Sequence, residues 1–259
     1  MLFQTVVGVL IPFIGTVLGG ACVFFMRKEI SKRADLAISG FAGGVMVAAA
    51  VFSLIIPAID YAEGLGSLAF LPAALGFLVG VLSIMLTGAI VNRERESAAL
   101  NQTKSNLGYK ASMILAVTVH NFPEGMAVGV VYAGLLNGGS AVALASALAL
   151  SIGIAIQNFP EGAIISMPIK AGGATRIKAF FIAVLSGIVE PIGAALMIIA
   201  SALFLPLLPY VRGFAAGAMV FAVVEDLMPN DCHGTGKTLS SLAFCIGFII
   251  MIILDVSLG

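Results

Sequence analysis

His120-Asn121-Phe122-Pro123-Glu124-Gly125 lies inside one long apolar run, and Gln157-Asn158-Phe159-Pro160-Glu161-Gly162 lies inside the next. Five of the six paired positions are identical. An ionised carboxylate at the centre of a bilayer costs about 2.5–3.5 kcal/mol on insertion scales. Two such residues, each with a polar helical neighbour, therefore point to a site, provided that the runs around them cross a membrane.

The composition says that they do. Of 259 residues, 60% are hydrophobic and 10% charged, with a mean hydropathy of +1.13. A soluble domain carries about 25% charge, and this chain has too few charges to cover a water-facing surface. A soluble enzyme, a disordered chain and a nucleic-acid binder are excluded on that ground. The balance of 13 Lys+Arg against 13 Asp+Glu offers no basic face to a polyanion. Cys22, Cys232 and Cys245 are odd in number and widely spaced, so no disulfide framework or CxxC site is expected.

A hydrocarbon core of ~30 Å needs about 20 apolar residues per helix. Eight runs meet that length: 2–26, 36–58, 67–91, 111–133, 140–165, 178–203, 210–228 and 239–258. The fold class is all-α, a polytopic membrane protein of eight transmembrane helices forming one domain over 1–259. The polar connection Asn92–Lys110 reads as a flexible loop. The first run starts at Leu2 with no basic residue before it, and Arg27 and Lys28 follow it. It reads as a first span with its N-terminus outside rather than as a cleaved leader, and eight spans put the C-terminus outside too. The loop charges agree, because twelve of the thirteen basic residues fall on the cytoplasmic side and only Arg212 falls on the other. Tyr61, Tyr109, Tyr132 and Tyr210 lie near span ends, as an interfacial aromatic girdle requires.

The second and seventh spans repeat one another. From Gly40 against Gly213 to Leu54 against Leu227, nine of fifteen positions are identical, including Phe41 with Phe214 and Met46 with Met219. An even and an odd span cross in opposite directions, so this is an inverted repeat, the symmetry that many carriers use for alternating access.

The hexapeptides sit in adjacent, antiparallel spans and can meet near mid-membrane. His120 and Glu124 are i and i+4 on one helix face, as are Gln157 and Glu161; Asn121 and Asn158 lie three residues before the same glutamates. Each Glu could bridge two ion positions, one served by His120 and Gln157, the other by Asn121 and Asn158. Pro123 and Pro160 deprive the carbonyls of Val119 and Ile156 of their helical partners, so both helices are expected to be kinked there. One imidazole among carboxylate and amide oxygens favours borderline divalent ions, namely zinc, iron(II), manganese, cobalt and cadmium. Glu190, followed by Pro191 in the sixth span, is a third candidate ligand. Three carboxylates against two divalent ions leave a small residual charge. Met46 offers a weak thioether ligand, although core packing is the simpler reading. Ser53, its repeat counterpart Asp226, Glu225 and His233 are candidates for the transport path or exit, against a plain solvated loop for the last three. Asp255 is expected at the outer interface.

The HNFPEG stretch of the fourth span, the NFPEG of the fifth, the Glu-Pro of the sixth and the GFAGGVM of the second together resemble the ZIP family of divalent metal transporters, most closely its prokaryotic members. The resemblance covers essentially the whole chain. It implies uptake of zinc and related ions into the cytoplasm through a binuclear site on spans 4 and 5, in a multi-pass protein of the inner (plasma) membrane. It implies the ligands His120, Asn121, Glu124, Gln157, Asn158 and Glu161, with Glu190 joining and Met46 matching a methionine of some members. Many members carry His where this chain has Gln157, which weakens the expected preference for zinc. No catalytic cofactor is expected; the partners are the divalent ion and the lipid bilayer, with a homodimer left open and no nucleic acid. A metal-selective channel using the same site is the alternative. An intramembrane metallohydrolase lacks its HExxH, and no serine lies within helical reach of His120 for a protease.

Overall fold

The computed structural model describes residues 2–25, 31–100, 105–136, 141–171, 173–203, 205–227 and 235–258; side chains within 90–117, 119–120, 141–143, 201–205, 226–235 and 258 lie outside that description. Every regular element among the described residues is helical. In order these are α1 (Leu2–Phe25), α2 (Lys32–Ala49), a π-helical segment Ala50–Ile55, α3 (Ile56–Tyr61), a 3-10 segment Glu63–Leu68, α4 (Phe70–Leu100), α5 (Ser105–Leu136), α6 (Ala141–Ala171), α7 (Arg176–Gly187), α8 (Val189–Leu203), a 3-10 turn Leu205–Leu207, α9 (Leu208–Ala222), a second π-helical segment Val223–Leu227, and α10 (Thr235–Leu258).

Each predicted apolar run falls on helix, and seven stretches among the described residues are long and apolar enough to cross a bilayer. Local signals open the helices where the sequence permits. The Ser31 hydroxyl accepts from the Ala34 N–H at 3.2 Å, and Thr175 does the same for Lys178 at 3.2 Å, which satisfies amides that a helix start leaves unpaired.

Two expectations, the loop and one girdle tyrosine, are corrected. The described part of the expected loop Asn92–Lys110 is helical, because α4 runs on to Leu100 and α5 starts at Ser105; 101–104 lie outside the described residues. Its Arg-Glu-Arg-Glu-Ser-Ala-Ala-Leu sequence (93–100) is made mostly of strong helix formers that extend a span beyond the lipid. The prolines Pro123 and Pro160 interrupt neither helix, since α5 and α6 continue through both. The interruptions fall elsewhere, at the two π-helical segments and at Ile188 between α7 and α8. Tyr132 is no girdle residue: it is fully buried, and its hydroxyl accepts from Ser151 Oγ at 3.5 Å. Tyr61 and Tyr210 are exposed, as the girdle requires.

The inverted repeat holds in three dimensions. The π-helical segments begin at Ala50 and at Val223, which the repeat aligns. The Ala50 N–H bonds the Met46 and Val47 carbonyls, and the Val223 N–H bonds those of Met219 and Val220, residue for residue the same pattern. Packing repeats as well. Gly40 and Gly44 of α2 press on the backbone of α10 at Ser240 and Phe244, while Gly213 and Gly217 of α9 press on that of α4 at Ala73 and Phe77.

These contacts sort the helices into two groups. In one, α1 packs on α6 and α7, and α5 on α8; in the other, α2 packs on α10 and α4 on α9. Within each group, most glycines meet backbone, as Gly15 and Gly19 of α1 lie on Ala155 and Phe159 and Gly125 and Gly129 of α5 lie on Glu190 and Ala194, while Gly8, Gly20 and Gly187 of the first group meet side chains. Small residues let helix backbones approach this closely in lipid. Between the groups, the described glycines meet side chains instead, as Gly153 meets Met251 and Gly134 meets the guanidinium of Arg212. The boundary is filled by a side-chain core that includes Met46, Leu54, Val128, Leu150, Ile154 and Met219.

Candidate metal centre

Three elements of the first group bring the predicted polar residues together. α5 contributes Asn121 and Glu124, α6 contributes Gln157, Asn158 and Glu161, and the first turn of α8 contributes Glu190. Asn121, Glu124, Gln157 and Asn158 are 0% exposed, Glu190 1% and Glu161 7%. So many polar side chains removed from solvent require partners. The glycine contacts explain why they meet: Gly125 lies against the Glu190 backbone and Gly162 against that of Thr16, so each residue after a motif glutamate docks its helix at the level of that carboxylate.

Gln157 is the hub. Its Nε2 donates to Glu124 Oε1 and, at 3.1 Å, to Asn158 Oδ1, tying α5 to α6. Both amide protons point that way, which turns Oε1 aside, buried and with no hydrogen bond among the described residues. Asn121 Nδ2 donates to the Ser186 carbonyl at 3.3 Å and to Glu190 Oε1 at 3.4 Å. Ser186 lies in the last turn of α7, where carbonyls lack intrahelical partners, so Asn121 closes the gap that the break at Ile188 opens. Glu190 in turn occupies the first turn of α8, where the helix dipole favours a negative charge.

The carboxyls of Glu161 and Glu190 lie within electrostatic range of Glu124, and the Asn158 amide approaches both Glu124 and Glu190. Like charges gathered in a dry site repel one another unless a cation stands between them. Among the described residues, no three His, Cys, Asp or Glu side chains form a metal cage by themselves. The donor set is carboxylate plus amide oxygen, with His120 on α5 one turn before Glu124 and its side chain outside those described.

Among the described residues, Met46, Ser53 and Glu225 make no hydrogen bond to this cluster. Met46 is 1% exposed and packs in the core between the two groups, as its repeat partner Met219 does. Ser53, in the first π-helical segment, donates to Asp255 Oδ1 of α10 at 3.0 Å, which ties that segment to α10. Glu225 is exposed on the second π-helical segment; the side chain of Asp226 and all of His233 lie outside the described residues.

A model of the ZIP zinc transporter family matches residues 92–255, which contain both hexapeptides and Glu190. The chain is 35% identical to zinc transporter ZIP11 of Xenopus tropicalis over an alignment covering 99% of this chain and 97% of the relative. It is 34% identical to zinc transporter GufA of Myxococcus xanthus, covering 95% and 96%, and 34% identical to zinc transporter ZIPB of Bordetella bronchiseptica, covering 95% and 79%.

The chain belongs to the ZIP zinc transporter family. Membership makes it a multi-pass membrane transporter and not an enzyme, which removes the hydrolase readings. Two polar contributors escaped the sequence reading. Ser186 stands four residues before Glu190, one helical turn away, and that spacing was a usable signal. Thr16 is one of two hydroxyl residues, with Thr5, in an apolar first span, outside every motif, yet it donates to Glu190 Oε1 at 2.7 Å. No local pattern in this ZIP sequence marks it.

Proposed function

We propose that this ZIP-family chain carries divalent transition-metal ions, zinc first and cadmium, iron(II), manganese and cobalt with it, across the inner (plasma) membrane into the cytoplasm. The ions bind a binuclear site made by His120, Asn121 and Glu124 of α5 and Gln157, Asn158 and Glu161 of α6, with Glu190 joining from α8. The observation that carries this reading is the gathering of three buried carboxyls and three amides from three helices in a chain whose relatives are named zinc transporters. Two divalent ions bring four positive charges to three negative ones, which offsets the cost of keeping carboxylates away from water.

Alternating access is supported by where the glycines lie. Interlocked backbones make each helix group stiff, whereas a boundary of apolar side chains can re-pack as one group moves against the other. The inverted repeat supplies two related conformations of similar energy. A carrier of this kind saturates. Zinc uptake into proteoliposomes is expected to reach a plateau as external zinc rises, with a steep temperature dependence; a rate that stays linear in zinc and varies weakly with temperature would make the protein a channel.

Gln157 sets the metal preference in this reading. Replacing Gln157 with His exchanges an amide oxygen for an imidazole, so Gln157→His is expected to favour zinc and cadmium over manganese by about tenfold. Competition uptake with paired ions measures it, and an unchanged ratio would remove position 157 from the coordination sphere.

A further inference from the structure

α1 contributes none of the residues that the motifs mark, yet it packs against α6 and α7 and reaches Glu190 of the carboxylate cluster. Thr16 is 0% exposed, and its hydroxyl donates to Glu190 Oε1 at 2.7 Å. The Asn121 amide reaches the same oxygen at 3.4 Å. The second oxygen, Oε2, is buried and makes no hydrogen bond among the described residues, although the Asn158 amide lies near the carboxyl. One oxygen of Glu190 is thus committed to the protein and the other is not.

We propose that Thr16 is a positioning residue for the metal site: its hydroxyl clamps Oε1 of Glu190 so that Oε2 alone is presented to the ion, making Glu190 a one-oxygen ligand. The inference deepens the transport reading given above and rests on it.

The clamp is built rigidly. Threonine is branched at Cβ, which restricts χ1. The Thr16 methyl faces Gly187, where a Cβ would fall 2.8 Å from Cγ2, and the Thr16 carbonyl faces Gly162 of the second hexapeptide. Glycine at both places lets α1 close on α6 and on α7 with the hydroxyl held toward Glu190. Gly187 also lies at the end of α7, next to the break that brings Glu190 inward. α1 belongs to the helix group that carries the site, so the clamp travels with Glu190 through any movement of that group. Metal sites depend on such outer partners, whose loss typically costs about 10–100-fold in affinity.

Equilibrium zinc binding to the purified full-length protein, read by dialysis and independent of transport, tests this. Thr16→Val keeps the shape and removes the hydroxyl; it is expected to weaken binding by about tenfold or more. Thr16→Ser keeps the hydroxyl and loses only the methyl, and is expected to recover most of that loss. In a Glu190→Ala background, Thr16→Val is expected to add nothing, because a positioning residue acts through the group that it holds. If Thr16→Val yields no monodisperse protein, Thr16→Ala takes its place in the same comparison. Wild-type affinity in Thr16→Val, equal losses in the serine and valine variants, or an undiminished effect in the Glu190→Ala background would each overturn the clamp. The Glu124→Ala/Glu161→Ala protein separates the two ideas. If it loses zinc while Thr16→Val does not, the clamp alone fails; if it keeps wild-type binding, the site reading fails first.

Discussion

Proteoliposomes carrying Glu124→Ala together with Glu161→Ala are expected to take up zinc no faster than protein-free vesicles, and each single substitution to lower uptake at limiting zinc by at least about 100-fold. Loss of a mere outer-shell partner already costs about 10–100-fold in metal affinity, and these two carboxyls stand at the centre of the cluster. Glu124 is 0% exposed and accepts from the Gln157 amide that joins α5 to α6. Glu161 lies in the field of the same carboxyl. Misfolding would also abolish uptake, so a second readout is needed. Burying a carboxyl costs free energy unless it is fully compensated. The metal-free double variant is therefore expected to melt no lower than the wild type. The wild type in zinc should gain stability by mass action, about 2.7 kcal/mol at a hundred times Kd, and the variant should gain none. A variant that still gains stability from zinc would move the site away from these two glutamates.

Gly125→Ala is the second large effect. A methyl group there would fall inside the contact distance of the Glu190 carbonyl oxygen and crowd its Cα. Neither obstacle is the end of a flexible side chain, so α5 and α8 must separate or the substitution must stay unaccommodated. Overpacking of this kind costs about 1–3 kcal/mol, and occasionally more. Gly125 follows Glu124 directly, so the displacement also moves the carboxylate relative to Glu190. A markedly lower melting temperature and loss of zinc uptake are expected together. Gly88→Ala is the matched control, since a methyl at Gly88 in α4 meets nothing within 4 Å. There, alanine should be neutral or stabilise the helix by up to about 1 kcal/mol. Equal melting temperatures for the two variants would show that the close approach of α5 to α8 is not a constraint on the fold.

The same glycines show how far the fold was legible in advance. Eight apolar runs, the lopsided loop charges and the repeat of Gly40–Leu54 in Gly213–Leu227 are all local or pairwise features of the string, and helices stand where they were expected. The π-helical segments were not foreseen, because no residue type encodes a π turn. They became recognisable only when both arose at aligned positions, Ala50 and Val223. Pro123 and Pro160 do not end their helices, for a related reason. Proline removes one hydrogen bond and introduces one clash, yet neighbouring helices can carry a chain through that loss, and here α5 and α6 continue. Tyr132 misled because nearness to a span end does not say which way a side chain faces. It turned inward to Ser151, where Gly8 of α1 leaves room for its ring.

For the candidate site, the amino-acid order alone dictates that Glu124 and Glu161, with their Asn, Gln and His neighbours, occupy equivalent places on two antiparallel spans. A carboxylate inside a long apolar run is costly wherever the run packs, so its presence carries meaning without coordinates. What required the folded chain was the company these residues keep. The break at Ile188 brings Glu190 in, the Gln157 amide turns toward Glu124 and Asn158, and Thr16 reaches Glu190 across 174 residues of sequence. Hydrogen bonds over such separations leave no periodicity or spacing to read, because they depend on how close two helix backbones come, and that distance was set by glycines belonging to other helices.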